Sequence, residues 1–101
     1  MSNSKIPVTI DIDLEDLIPG FLTNRGKDLG TLRNALECSD FPVMQSIGHS
    51  LKGVGGGYGF DRMSEIGAAI ENAARIKNVE QLKELIENYS DYLTRVEVRF
   101  E

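Results

Sequence analysis

The chain has 101 residues, 41% of them apolar, in one composition regime, so it forms a single domain with a modest core and has no room for a separate nucleotide-binding domain. Its 11 basic and 16 acidic residues give a net charge of −5 without any block of lysine or arginine, which argues against nucleic acid as a partner. Cys38 is the only cysteine, which excludes an internal disulfide or a multi-thiolate zinc centre and suits a reducing compartment.

Residues 1–13 hold one lysine, several acids and no long apolar run, so they read as neither a signal peptide nor a membrane anchor. A cytoplasmic monomer with no membrane partner is expected, and Met1 favours a free-standing protein. Ile6, Val8, Ile10 and Ile12 alternate as a strand would, but one strand has no partner elsewhere. Residues 1–13 are therefore expected to be an extended N-terminal arm packed on a bundle spanning 14–101.

Leu14 to Ile18 suits a helical turn, and Pro19 fits the first turn of a helix, where its missing N–H would be unpaired anyway. Leu22, Leu29, Leu32, Ala35 and Leu36 carry that helix to Glu37, with Gly26 and Gly30 as weak points. Asp40 caps a second helix with Pro42 in its first turn, and its apolar stripe is Met44, Ile47, Leu51, Val54 and Tyr58. That helix should reach about Gly57 and close at Gly59. Asp61 is the expected cap of a third, with Met63, Ile66, Gly67, Ile70, Ala73, Ala74 and Ile76 facing inward; its small residues would let a neighbouring helix come close. Asn78 and Gln81 resemble a capping pair for a fourth, whose seam is Val79, Leu82, Leu85, Ile86, Tyr89, Leu93 and Val96. Val96 to Phe100 has a strand-like look, yet the seam runs into it unbroken, so the helix is expected to end near Arg99. Four apolar-faced helices with short links predict an all-α, antiparallel up-down four-helix bundle preceded by a short arm.

His49 is the only histidine, and a rotation of about 100° per residue sets it roughly opposite the apolar stripe of its helix, facing solvent. Gln45, Lys52, Gly53 and Gly56 fall within about 60° of it, so the ring is flanked by an amide, a cation and two residues without side chains. Gly48, Gly53, Gly55, Gly56 and Gly57 crowd this segment, and each interior glycine costs a helix roughly 1 kcal/mol relative to alanine. The plain alternative is a helix that stops near Gly53 and a flexible glycine loop, but Val54 and Tyr58 continue the stripe. An exposed imidazole has a free nitrogen lone pair at neutral pH and can attack a phosphoryl group. Lys52, one turn on, would balance the phosphate charge, and an open helix face suits a large donor better than a small ligand.

The run His49-Ser50-Leu51-Lys52-Gly53, with Gly59 six residues after Gly53, resembles the core motif of histidine-containing phosphotransfer (HPt) domains. Leu17-Ile18-Pro19, Phe21-Leu22 and Arg25 before it, and Ile66-Gly67, Glu71 and Ala74-Arg75 after it, extend the resemblance over about residues 14–98. It implies a four-helix bundle whose histidine passes phosphoryl groups to and from the aspartate of response-regulator receiver domains, with a hybrid histidine kinase as a further partner. Carried over, His49 is phosphorylated through Nε2, Lys52 stabilises the phosphoryl group and Gly53 gives access. Glu71, twenty-two residues after the histidine, would bond Nδ1, and Arg75 is the basic residue four further on. Glu71 and Arg75 also read as an ordinary i,i+4 ion pair, and contact with Glu71 needs His49 nearer the rim than the rotation estimate puts it.

Nothing here completes a phosphate-binding loop for ATP, so the chain is expected to be a phosphocarrier and not an enzyme, with no cofactor of its own and Mg2+ supplied by the receiver. Leu17, Phe21 and Phe60 are candidates for the apolar edge of the partner surface. Two other readings stand beside this one: a non-phosphorylated adaptor that binds and blocks a receiver or kinase, and a helical metal or haem protein with His49 as ligand. One histidine without a second ligand nearby makes the latter weak, and no metal site is expected.

Overall fold

The computed structural model describes residues 4–101; residues 1–3 of the expected arm lie outside the described residues. Strand β1 (Ile6–Ile10) leads through a 3-10 helix (Ile12–Leu17) into α1 (Ile18–Glu37), α2 (Phe41–Tyr58), α3 (Asp61–Arg75) and α4 (Val79–Arg95), and strand β2 (Val96–Phe100) follows. The four apolar faces meet in one core, where Leu32, Met44, Leu51, Phe60, Met63, Ile70, Leu82 and Ile86 are buried.

Local chemistry sets the helix ends. Asp40 Oδ1 accepts from the Val43 amide at 3.3 Å, and Asn78 Oδ1 accepts from the Gln81 amide at 3.1 Å, each satisfying a first-turn donor. The glycines of α2 remain helical until Gly59, whose φ of +95° closes the helix. The Phe60 and Gly59 amides then bond back to the Gly55 and Gly56 carbonyls, a Schellman closure that needs a left-handed residue at this point. Ser39 (φ 54°) and Lys77 (φ 58°) turn the chain in the same sense between the other helices. Asp61 is not the cap of α3: that position is Phe60, which makes no side-chain capping bond.

One feature overturns both the partnerless arm and the last helix running to Arg99. β1 and β2 pair in parallel, from Ile6 opposite Val96 to Ile10 opposite Phe100, so the fold is a helical bundle with a two-stranded sheet and not all-α. Val96, Val98 and Phe100 alternate with Glu97 and Arg99, and this period of two wins over the helical seam because a partner strand arrives from the other end of the chain. Parallel strands need a long crossover, and here the whole bundle supplies it.

Other inward assignments also shift. Ile76 is 59% exposed and Val79 is exposed too, because both border the turn between α3 and α4. Phe21 and Phe60, expected at the partner surface, are core residues with stacked rings 5.1 Å apart, and Tyr58 also stacks on Phe21, at 4.4 Å. The Tyr89 hydroxyl donates to the Arg25 carbonyl at 3.2 Å, whereas the buried Tyr92 hydroxyl has no partner among the described residues.

α2 and α3 touch backbone to backbone. A methyl group at Gly48 would lie 2.5 Å from the Glu71 amide nitrogen and 2.7 Å from the Gly67 carbonyl oxygen, and one at Gly67 would lie 2.6 Å from the Lys52 nitrogen. Gly55 meets Ser64 and Phe60 in the same way.

Candidate functional site

The glycines of α2 fall into two groups. Gly48 and Gly55 are buried against α3, while Gly53 and Gly57 have nothing within 4 Å of where a side chain would begin, and Gly56 meets only the Ser64 hydroxyl. Taking 100° per residue, Met44, Gly48, Leu51 and Gly55 centre the buried arc about 50° from the stripe expected from the larger apolar residues. Glycine carries no apolar side chain to register in such a stripe. The true face is therefore turned so that His49 stands at the α2–α3 edge, which removes the conflict between an outward ring and contact with Glu71.

The His49 side chain is 73% exposed. Its Nδ1 lies 2.9 Å from Oε2 of Glu71, a residue of α3 whose side chain is 25% exposed. The other Glu71 oxygen, Oε1, is 4.0 Å from Lys52 Nζ. A carboxylate can only accept, so Nδ1 carries the proton of the neutral ring and Nε2 keeps its lone pair toward solvent. The Ser64 hydroxyl donates to the Lys52 carbonyl at 2.8 Å, tying α3 to the turn of α2 that bears the lysine.

Two shallow openings lie on this edge of the bundle, the first reaching the ring and the second sharing Gln45 and Glu71 with it. One is bordered by Pro42, Gln45, Ser46, His49 and Glu71, and the other, about 360 Å³, by Gln45, Lys52, Ala68, Glu71, Asn72 and Arg75. His49, Lys52, Glu71 and Gln45 thus come together, with Gly53 and Gly56 leaving the adjoining surface bare. Arg75 reaches the second opening, but its guanidinium donates to the Asn72 side chain, and the Glu71–Arg75 ion pair is not among those of the described residues. Gly59 lies about 15 Å along the axis from His49, where it ends the helix and does not border the ring. Ser64 and Asn72 were not legible beforehand, since a lone serine or asparagine on an exposed helix face carries no distinguishing spacing. Gly48 and Gly67 carried a usable signal, because small residues on two adjacent helices permit close approach.

Among the described residues no group of three or more His, Cys, Asp or Glu side chains is arranged to hold a metal ion, and no helix is long and apolar enough to cross a membrane. A family model described as Hpt domain matches residues 16–98. No curated protein and no solved structure matches the chain.

Proposed function

The chain belongs to the Hpt domain family, which carries out histidine phosphotransfer in two-component phosphorelays, and on that premise we propose that His49 is the residue that carries the phosphoryl group. Members of this family are phosphocarriers and not classical enzymes, and they interact with receiver domains and histidine kinases. The observation that supports His49 most directly is an exposed ring held through Nδ1 by Glu71, with Nε2 unobstructed.

In this reading Nε2 attacks the phosphorus of a receiver aspartyl phosphate. An N–P bond forms as the P–O bond to the aspartate breaks, and the aspartate leaves as a carboxylate. With phosphorus on Nε2 and a proton on Nδ1 the ring is cationic, and the Glu71 carboxylate facing Nδ1 offsets that charge. Lys52 Nζ swings from Glu71 to the phosphoryl oxygens. The absence of a side chain at Gly53 admits the receiver, and Gln45 and Arg75 border the opening beside the incoming group. The reverse sequence returns phosphate to an aspartate. Positioning and charge neutralisation dominate such transfer, and the receiver's acidic site supplies Mg2+.

The rest of the proposal is architectural. Residues 14–101 act as the phosphotransfer bundle, to which the preceding segment is joined through the β1–β2 pair, in the cytoplasm and as a monomer. An antiparallel course of α2 and α3 is supported by the contacts of Gly48 with Glu71 and Gly55 with Ser64, which run in opposite directions along the two helices. The apolar edge met by the partner is Leu17, 53% exposed, with Val54 and Tyr58.

The test is incubation with purified receiver domains phosphorylated on aspartate. Acid-labile, alkali-stable label should appear on the chain and be absent from His49→Gln. Label persisting in that variant would overturn the assignment to His49, and receiver binding with no label from any member of a broad panel would establish the adaptor instead.

A further inference from the structure

We infer that the β1–β2 sheet is a strap seated on the closing residue of α2, and that it keeps folded the half of the helix that adjoins His49. The last two turns of α2 are intrinsically weak. Gly53, Gly55, Gly56 and Gly57 all lie within them, and each gives up helix propensity without a side chain to pack in return. Gly55 packs only on the first turn of α3, which follows directly from Gly59, so the hold on these turns depends on the closure at their end. The Ile10 Cδ1 atom lies 3.3 Å from where a side chain on Gly59 would begin, with the Thr9 carbonyl 4.0 Å away, and Ile10 is only 2% exposed.

Ile10 is in turn held by the far end of the chain. It pairs with Phe100; its carbonyl accepts from the Glu101 amide at 3.1 Å, and the Ile12 amide donates to the Glu101 carbonyl at 2.9 Å. At the other end of the strand pair the Arg95 guanidinium donates to the Ser4 carbonyl at 2.7 Å. An isolated pair of strands is marginal in water, so this strap persists through its seat on the bundle and is the element most readily released. When it lifts, Gly59 loses its cover, the Schellman closure opens, and the glycine turns fray back toward Lys52. The first half of α2 stays in place, since Asp40 caps it and Gly48 is locked against the middle of α3, whereas Gly55 meets only the first turn of α3, beside the closure that opens. The strap thus governs the bare surface beside the histidine without touching the ring.

Hydrogen exchange tests this on the whole chain, on a version lacking residues 1–10, and on Val98→Pro, which disrupts the sheet while leaving Ile10 in the sequence. Amides of Gly55 to Phe60 should exchange about tenfold faster or more in both variants, while those of Met44 to Leu51 keep their protection. Gly57→Ala, placed where a methyl group meets nothing, should return protection to these turns in the shortened chain. The inference fails if exchange in Gly55 to Phe60 is unchanged, if α2 loosens evenly along its length, or if Gly57→Ala restores nothing. Resting on the phosphocarrier reading is one further consequence: transfer from a receiver should slow in the strap variants and recover with Gly57→Ala. The exchange measurement involves no phosphate, so an intact chain that never becomes labelled would defeat that reading and leave the strap standing.

Discussion

Replacing Gly48 by alanine should destabilise the fold and disable the site together, although alanine is the better helix former. The new methyl group would lie 2.5 Å from the Glu71 nitrogen, 2.7 Å from the Gly67 oxygen and 3.0 Å from the Glu71 Cα, all backbone atoms that cannot rotate away. Reaching an ordinary contact of about 3.4 Å requires α2 and α3 to part by about 0.9 Å at this level. Overpacking of this kind costs about 3 kcal/mol, near the upper end of its usual range, against a propensity gain of about 1 kcal/mol. A net loss of about 2 kcal/mol lowers the melting temperature by about 8–16 °C in a domain of this size. The same separation stretches the 2.9 Å bond from His49 to Glu71 to about 3.8 Å, beyond hydrogen-bonding range. Gly53→Ala is the control, because nothing lies within 4 Å of its new methyl group, and it should gain about 1 kcal/mol. Thermal denaturation of both variants, with nitrogen chemical shifts of the imidazole to report the tautomer, measures the two effects separately. A Gly48→Ala protein as stable as the parent, or one whose ring nitrogens are unchanged, would refute the backbone contact as the origin of the site geometry.

Glu71→Ala should leave the melting temperature nearly unchanged and slow phosphotransfer about fivefold. The bond to a neutral ring as exposed as this one adds only roughly 0.3 kcal/mol to stability, whereas against the cationic phosphorylated ring the carboxylate is worth about 1 kcal/mol after solvent screening; an undiminished rate would remove Glu71 from the mechanism. Gly53→Gln should fold at least as well as the parent yet transfer more than about tenfold more slowly, since it improves helix propensity while covering the approach to the ring; equal rates in stopped-flow transfer would count against access as the function of Gly53. Tyr89→Phe should lose about 1 kcal/mol in urea titration because its hydroxyl donates to the Arg25 carbonyl, while Tyr92→Phe, which removes a buried hydroxyl without a partner among the described residues, should lose nothing. Burial, and secondarily Asp61, pushes the Tyr92 phenol up to about 12. The folded chain then holds a proton that the unfolded chain releases near pH 10, so this stabilisation is complete below pH 10 and disappears as the pH rises toward 12. Tyr92→Phe should flatten that alkaline decline, and an identical slope in both proteins would contradict the burial of the hydroxyl.

Local chemistry made the helices readable. Asp40 and Asn78 announce their caps, and Gly59 announces the closure of α2, because each acts on backbone groups only a few residues away. His49 and Lys52 were legible for a related reason, since their relation is one turn of a single helix. The α2–α3 contact is half legible: the small residues of α3 mark a close-approach surface, but Gly48 and Gly55, with no side chain to register as apolar, are the centre of the buried face of α2. A stripe drawn through the larger residues alone is turned by about 50° from that face, and the expected facing of His49 turns with it. Both strands show their alternation but not their pairing, because Val96 satisfies a helical seam and a strand alternation equally well, and the strand that decides between them begins at Ile6.

Lys52 is parked and not bonded: at 4.0 Å its ammonium is too far from Glu71 for a hydrogen bond, yet near enough to cancel much of that carboxylate's field. The ammonium is therefore free to leave for an incoming anion, and Arg75, whose guanidinium donates to the neutral Asn72 side chain, adds a second cation to this edge. On a chain of net charge −5 that local excess of cation marks where an anionic group is attracted, and added salt weakens the pull.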